Sequence, residues 1–331
     1  MTPCSVRVPW LENISVIRLR FFYLANSKGR INWPLGPEIR GSIGHVLKTS
    51  QGCIQDNNVD CQKCHEKSGC IYIKNFDRGG HKPKCFHLKT GPSFRSMITS
   101  FTKGGTLQFD MVCFGHTIRE IRKILLALRS SPLFLGKPGL KFYCEESGCV
   151  APDGGFVPVT DVGEVNEGMI FRPVSLQPCG NGLVRGQISC IRFEIHTPAE
   201  ISYKNKSFLQ DPAQFSFETL VRKMIGRTED VARHLFNFQW DKNSGSLQDF
   251  KNAVIYNSRD VILVREPSDA RWQQVPQRNK QDKKFGGLVG SFVYKGNLTP
   301  YLGLLNTTCC LGLGKNTISG FGHCSYQIVQ E

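Results

Sequence analysis

Three stretches of the sequence place side chains at spacings that could do chemistry. In EIRGSIGHVLK (38–48), His45 and Lys48 stand three residues apart. Further on, Cys53, Cys61, Cys64 and Cys70 include one C-x-x-C pair, the spacing at which two thiolates grip one tetrahedral zinc. Cys53 and Cys70 complete a candidate four-thiolate structural zinc site, with His65 and Cys85 as substitutes. Near the other end, LGLGKNTISGFGH (311–323) interleaves Gly312, Gly314, Gly320 and Gly322 with the donors Lys315, Asn316, Thr317 and Ser319, and closes on His323.

The glycine-lysine pair invites a nucleotide, and the flanking residues exclude one. A Walker A loop needs G-x-x-x-x-G-K-[ST], but Cys309 occupies the first glycine position and Asn316 the last. The dinucleotide fingerprint has Thr317 where its third glycine belongs. No nucleotide cofactor is expected. Two uses remain for the loop: running along a sugar-phosphate backbone with its donors on the oxygens, or making a tight turn that only permits close packing. The C-x-x-C pair also lacks the strand-then-helix context of a redox motif, which leaves structural zinc or plain reduced thiols.

Elements that could position these residues follow from hydrophobic period. ISVIRLRFFYL (14–24) is rich in β-branched and aromatic residues and reads as a buried strand ending near Tyr23. In the next segment Ile39, Ile43, Val46 and Leu47 make one apolar helical face, which leaves His45 and Lys48 nearly opposite it and exposed together. From Cys53 to Thr90 periodicity disappears, as in an inserted module. Structure resumes with a strand at LQFDMVCF (107–114), a helix at TIREIRKILLALRSS (117–131) and a strand at LKFYCE (140–145). Gly and Pro then dominate a hairpin and linker region at 147–187. After it, ISCIRFEIHTP alternates as a half-buried strand, and AQFSFETLVRKMIGRTEDVARHLFNF reads as a long helix that Gly226 could kink. The strands DVILVRE and GLVGSFVYKG, a helix from Pro300, and a last strand GHCSYQIVQ follow.

The second half therefore has the order βαββαβ of a ferredoxin-like unit, and the first half is a looser copy with the cysteine module after its first helix. The expected fold class is α+β: a first domain over 1–146 with an insertion at about 50–90, the linker, and a second domain over 188–331. A length of 331 residues suits two cores. Lys and Arg outnumber Asp and Glu by 42 to 27, giving a formal net charge of +15 that attracts polyanions, nucleic acid first. No apolar run reaches membrane-spanning or signal-core length, so a cytoplasmic protein with no membrane partner and reduced thiols is expected.

CLGLGKNTISGFGHCSYQI resembles the C-terminal glycine-rich signature of the CRISPR RNA-processing endoribonucleases of the RAMP superfamily. IRGSIGHVLK followed by CIQDNNVDCQKCHEKSGCIY resembles the N-terminal signature of that family's cysteine-containing branch. Two signatures in order at opposite ends are more specific than either alone. The resemblance implies two RAMP domains that bind the repeat of a CRISPR precursor RNA and cut once per repeat, giving guide RNA for an interference complex. It also implies that no catalytic metal is needed: the 2′-OH attacks the adjacent phosphate, leaving a 2′,3′-cyclic phosphate and a 5′-OH. Many members carry a functional histidine on the first helix, and His45 falls at the matching place, with Lys48 beside it to offset transition-state charge and Tyr23 to orient the attacking group. Beside the resemblance, the donors of the glycine-rich loop with Arg40 and Lys48 are the candidate RNA contacts, and His323 either contacts RNA or caps the entry to the last strand.

The chemistry fits those types. Histidine titrates near neutrality and can take either proton role, while a cation must balance the pentavalent phosphorus. Other histidines have plainer roles: His116 begins a helix, His196 lies on a strand's polar side, and His234 sits in the long helix. His323 is the rival to His45. A binding subunit that holds guide RNA without cutting it is the alternative reading, and an unrelated zinc-ribbon factor a remoter one; exposed His45 is what favours the nuclease.

Overall fold

The structure is a computed structural model that describes residues 8–31, 34–50, 53, 61, 64, 69–76, 83–90, 99–136, 139–161, 163, 165, 167–176, 187–202, 208–241, 245–265, 269–275 and 285–329. The alternating residues of the first strand bury Ile17, Leu19, Phe21 and Tyr23 in one core, and make β1 (Val16–Ala25) the centre of a sheet. After β2 (Gly29–Ile31) comes helix α1 (Leu35–Thr49), with the short α2 (Ile71–Asn75) of the cysteine-rich region beyond it. β3 (Phe86–Thr90), β4 (Thr99–Phe101) and β5 (Thr106–Phe114) follow, then a 3₁₀ turn leading into α3 (Ile121–Ser130). β6 (Leu133–Leu135), β7 (Leu140–Val150) and β8 (Phe156–Pro158) complete the first half. The sheet runs β3-β5-β1-β7-β6, antiparallel throughout.

The second half has β9 (Cys190–Ala199), α4 (Phe217–Leu235), α5 (Leu247–Asn257), β10 (Ile262–Arg265), β11 (Arg271–Val275), β12 (Phe285–Lys295), α6 (Leu302–Leu311) and β13 (Cys324–Ile328). Its sheet runs β10-β12-β9-β13. Numbered within each βαββαβ unit, both sheets have the order 2-3-1-4. The duplication expected from element order is thus visible in strand topology.

Helices cover one face of each sheet. α1 and α3 close the first core, and α4 and α6 the second. The N-terminal turn crosses over: Trp10 lies in the second core and its indole N–H donates to Thr228 Oγ1 on α4 at 2.9 Å. Three local expectations need correction. α4 passes through Gly226 without a break, because that residue faces solvent and a Cβ there would meet nothing within 4 Å. β7 runs beyond the expected end at Glu145 to Val150, with Cys149 and Val150 buried, and its pairing with β8 supplies a hairpin of the expected hairpin and linker region. Helix α5, absent from the sequence reading, is N-capped by Ser246, whose hydroxyl accepts from the amides of Gln248 and Asp249.

Candidate functional site

The functional residues group around helix α1. Its buried stripe of Ile39, Ile43, Val46 and Leu47 fixes it on the first sheet, as expected, and leaves His45 exposed. Gly44 forms a notch on another side, into which α2 presses Tyr72 and Phe76, stacked with ring centroids 5.3 Å apart. The cations on either side of the notch lie on these rings, Lys48 Nζ 4.3 Å from the Tyr72 centroid and the Arg40 guanidinium 5.6 Å from that of Phe76. Lys48 is thus held by an aromatic ring, while His45 faces a separate open cavity of about 540 Å³ lined by Pro37, Glu38, Gly41, Ser42, Phe134 and Gly136.

Tyr23 does not join them. It is fully buried, its hydroxyl donates to the Leu128 carbonyl at 2.7 Å, and burial pushes its pKa well above the usual phenol value. Its ring sits over Phe109 in the first core, 5.8 Å between centroids, so it is a core residue.

Arg40, five residues before His45 and about 7.5 Å along the helix axis, lines a second cavity of about 710 Å³ between the two halves. Lys84, Arg222, Lys223, Arg227 and Lys315 line it too, against only Glu200 and Asp230 of opposite sign. The Nε atoms of Arg40 and Arg227 are buried with no hydrogen-bond partner. Desolvation lowers the pKa of both guanidiniums, that of Arg227 to about 10, and burial lowers that of Lys223 as well. Crowded, partly desolvated cations with unused donors favour an anion.

The glycine-rich loop forms one wall of this cleft, through Gly314, Lys315, Asn316, Thr317, Ile318 and Ser319. Arg227 ties its start to its middle, since Nη2 donates to the Leu311 carbonyl at 3.3 Å and to Thr317 Oγ1 at 3.0 Å. Charge alone does not single out Arg227 among the basic residues of α4. Its position three residues after Met224 and four before Val231, inside the buried stripe of α4, was the available signal. The loop glycines serve packing: Gly320 Cα lies against Gly36 of α1, and a Cβ on Gly322 would collide with the Leu313 carbonyl. The donors between them, Lys315, Asn316, Thr317 and Ser319, line the cleft. Lys315, expected to be open for phosphate, is ion-paired with Glu200 at 3.2 Å and lies over Phe208, though it is 61% exposed.

His323 falls in a different place, a histidine cluster where the halves meet. Its ring packs on His196 (4.8 Å between centroids) and on His87 of β3 (6.1 Å). His87, also missed in the sequence, donates from Nδ1 to the Cys310 carbonyl at 3.1 Å, while its Nε2 is buried without a partner. Burial lowers the His87 pKa to about 3, with Lys89, Arg227 and Arg18 adding repulsion, and holds His323 well below the usual imidazole range. His196 bonds Ser325 Oγ at 2.7 Å, and His234 lies 3.6 Å from Asp230 on the outside of α4.

Cys53, Cys61, Cys64 and Cys70 are all free thiols. Cys53 trails off α1 with its N–H on the Lys48 carbonyl, and Cys70 caps α2. Among the described residues no group of three or more metal-ligating side chains converges, and His65 lies outside the described residues. Cys85, the proposed substitute, has its thiol 3.3 Å from the His116 ring. Among the described residues no helix is long and apolar enough to cross a membrane.

Comparison with known proteins fits this layout. Residues 14–167 match the AF_1859_N family, an N-terminal domain, and residues 193–324 match the family described as CRISPR-associated endoribonuclease Cas6. Among solved structures, Thermus thermophilus Cas6 (TTHB231) is 14% identical with a TM-score of 0.52, covering 95% of this chain and 98% of that one. A Cas6 (TTHA0078) product complex is 13% identical with a TM-score of 0.51, covering 95% and 99%. A partial Cas6-RT-Cas1–Cas2 complex is 13% identical with a TM-score of 0.57, covering 96% of this chain and 47% of that one. At these identities the likeness is one of fold. No curated protein sequence matches the chain.

Proposed function

We propose that this chain, whose residues 193–324 match the CRISPR-associated endoribonuclease Cas6 model, works as such an endoribonuclease: it binds the repeat of a CRISPR precursor RNA across the basic cleft and cuts it beside His45. One observation carries the reading: α1 lines the basic cleft with Arg40 and an open cavity with exposed His45. A strand whose phosphates lie on Arg40, Arg227 and the loop donors is then led toward the imidazole.

The reaction needs no metal in this scheme. The 2′-OH attacks the adjacent phosphorus and the bond to the 5′-oxygen breaks, leaving a 2′,3′-cyclic phosphate and a 5′-OH. His45 takes one of the two proton transfers, either removing the 2′-OH proton or delivering one to the leaving oxygen. Accessibility supports His45 over His323, whose ring is packed between two others and kept neutral by burial and nearby cations. Lys48, parked on Tyr72, adds positive field beside the reacting phosphate. Tyr23 has no part. The product, a guide RNA, is handed to an interference complex.

The test incubates purified protein with its cognate repeat RNA in excess chelator. A single cut with a cyclic phosphate end, lost in His45→Ala while RNA affinity is kept, is the expected result. A repeat that stays bound and uncut by the native protein favours a guide-holding subunit instead.

A further inference from the structure

We propose that the ring of Phe134 is a stacking platform for a nucleobase next to the scissile phosphate, and so a positioning and specificity residue for the cut; the inference rests on the assignment of His45 above. Phe134 lies on β6, the edge strand of the first sheet. Its neighbours Leu133 and Leu135 are fully buried, so the strand is already anchored without it, and Phe134 points outward with 43% of its surface exposed. An exposed aromatic on an edge strand invites unwanted pairing, so it calls for a use. Here the ring shares the 540 Å³ cavity with His45.

Two bonds fix that juxtaposition. The Phe134 amide donates to Ser42 Oγ at 2.8 Å, and the Gly136 amide donates to Glu38 Oε2 at 3.0 Å. Glu38, Ser42 and His45 fall at i, i+4 and i+7 on α1, one stripe of the helix. The strand that carries the ring is therefore tied to the helix face that carries the imidazole, and the two move as one body. Opposite Phe134 in register stands Lys141, whose ammonium lies over the ring, 5.4 Å from its centroid, and a base that takes that place on the ring brings its phosphate to the displaced ammonium. An exposed aromatic ring with a cation in reach is how single-stranded RNA is held without regard to hydrogen-bonding edges. Bases whose stacking is stronger, the purines, are preferred at that position.

The test separates binding from cutting. A repeat RNA lacking the attacking 2′-OH is bound but not cut, and 2-aminopurine is placed in turn at each nucleotide within three of the cut. In native protein one position is quenched on binding; Phe134→Ala and Phe134→Leu lose that quench, and Phe134→Tyr restores it. With cleavable RNA, kcat/KM in Phe134→Ala falls about tenfold. Phe134→Leu keeps the apolar contact and lacks the ring, so a quench that survives in it, or one unchanged in Phe134→Ala at every position, overturns the platform. His45→Ala keeps the quench. If His45→Ala also keeps its cleavage, the assignment of His45 fails, and the quench still decides on Phe134.

Discussion

The exposed histidine of α1 and the histidine cluster between the halves are the same side chain in opposite settings. His45 stands in an open cavity on the outer face of its helix, reachable by a polymer. His87 and His323 are packed against each other, each with a buried ring nitrogen that has no partner, and Lys89 and Arg18 oppose any charge on them. The contrast teaches that histidine in a nuclease fold does not by itself mark the reaction. A group that must exchange a proton with RNA has to be open, whereas one that joins two sheets has to stay neutral.

The sharpest break in this comparison is His45→Ala. Loss of one proton-transfer group lowers the single-turnover cleavage rate by about 10²–10⁴-fold, with repeat affinity unchanged. His87→Asn, which keeps a donor for the Cys310 carbonyl, leaves the cleavage rate within a few-fold of native. Equal losses in the two variants, measured on protein shown to be folded, erase the distinction.

The cleft comes next in size. Arg227 lines the cleft, ties the start of the glycine-rich loop at Leu311 to its middle at Thr317, and keeps a buried Nε without a hydrogen-bond partner. Arg227→Met leaves the Leu311 carbonyl and the Thr317 hydroxyl unpartnered, at a cost of about 1–3 kcal/mol in stability, and weakens repeat binding by about tenfold or more. Arg227→Lys keeps the charge without the planar fork and recovers only part of it. Binding titrations and thermal melts read the two effects separately, and an affinity that returns fully in Arg227→Lys would argue for charge alone.

The third effect is on stability against pH. His87 and His323 have folded pKa values below the unfolded value near 6.5. Between the two values the unfolded chain binds more protons, so stability falls as pH drops below about 6.5, until His87 itself titrates near 3. The slope approaches about 1.4 kcal/mol per pH unit for each histidine. Denaturant melts from pH 7.5 to 4.5 show this decline, and His87→Asn flattens it. A decline of equal slope in that variant removes His87 from the account.

The sequence made β1, α1, α4 and the βαββαβ order of the second half legible, because each has a clear hydrophobic period set by one buried face, whereas β3 (Phe86–Thr90) falls inside the stretch that reads as aperiodic insertion. His45 was legible for the same reason, as the residue opposite such a face. What stayed hidden depends on contacts between halves. His87 reads as an ordinary strand residue until the Cys310 carbonyl and His323 meet it from more than two hundred residues away. Tyr23 looked available because the end of a strand often is, but α3 folds over it and takes its hydroxyl. The cysteines show the limit of spacing: C-x-x-C brings two thiols near each other along the chain, and Cys53 and Cys70 were left at the end of one helix and the start of another.

The smallest expected effect concerns Lys315, the residue that first suggested phosphate binding. Its ammonium is already satisfied by Glu200, which is only 11% exposed, so phosphate must compete with a carboxylate for it. Lys315→Ala should therefore weaken repeat binding only a few-fold, and reduce the slope of log affinity against log salt by about 0.7, the share of one single-strand phosphate contact. Glu200→Gln frees the ammonium and should raise both affinity and salt slope. Filter-binding at several salt concentrations measures all of this. If Lys315→Ala loses as much affinity as Arg227→Met, the grip lies in the loop's own lysine and the buried arginine only supports it. If the loss is small, the strand is held from below, by guanidiniums on α1 and α4, and the loop shapes the wall of the cleft.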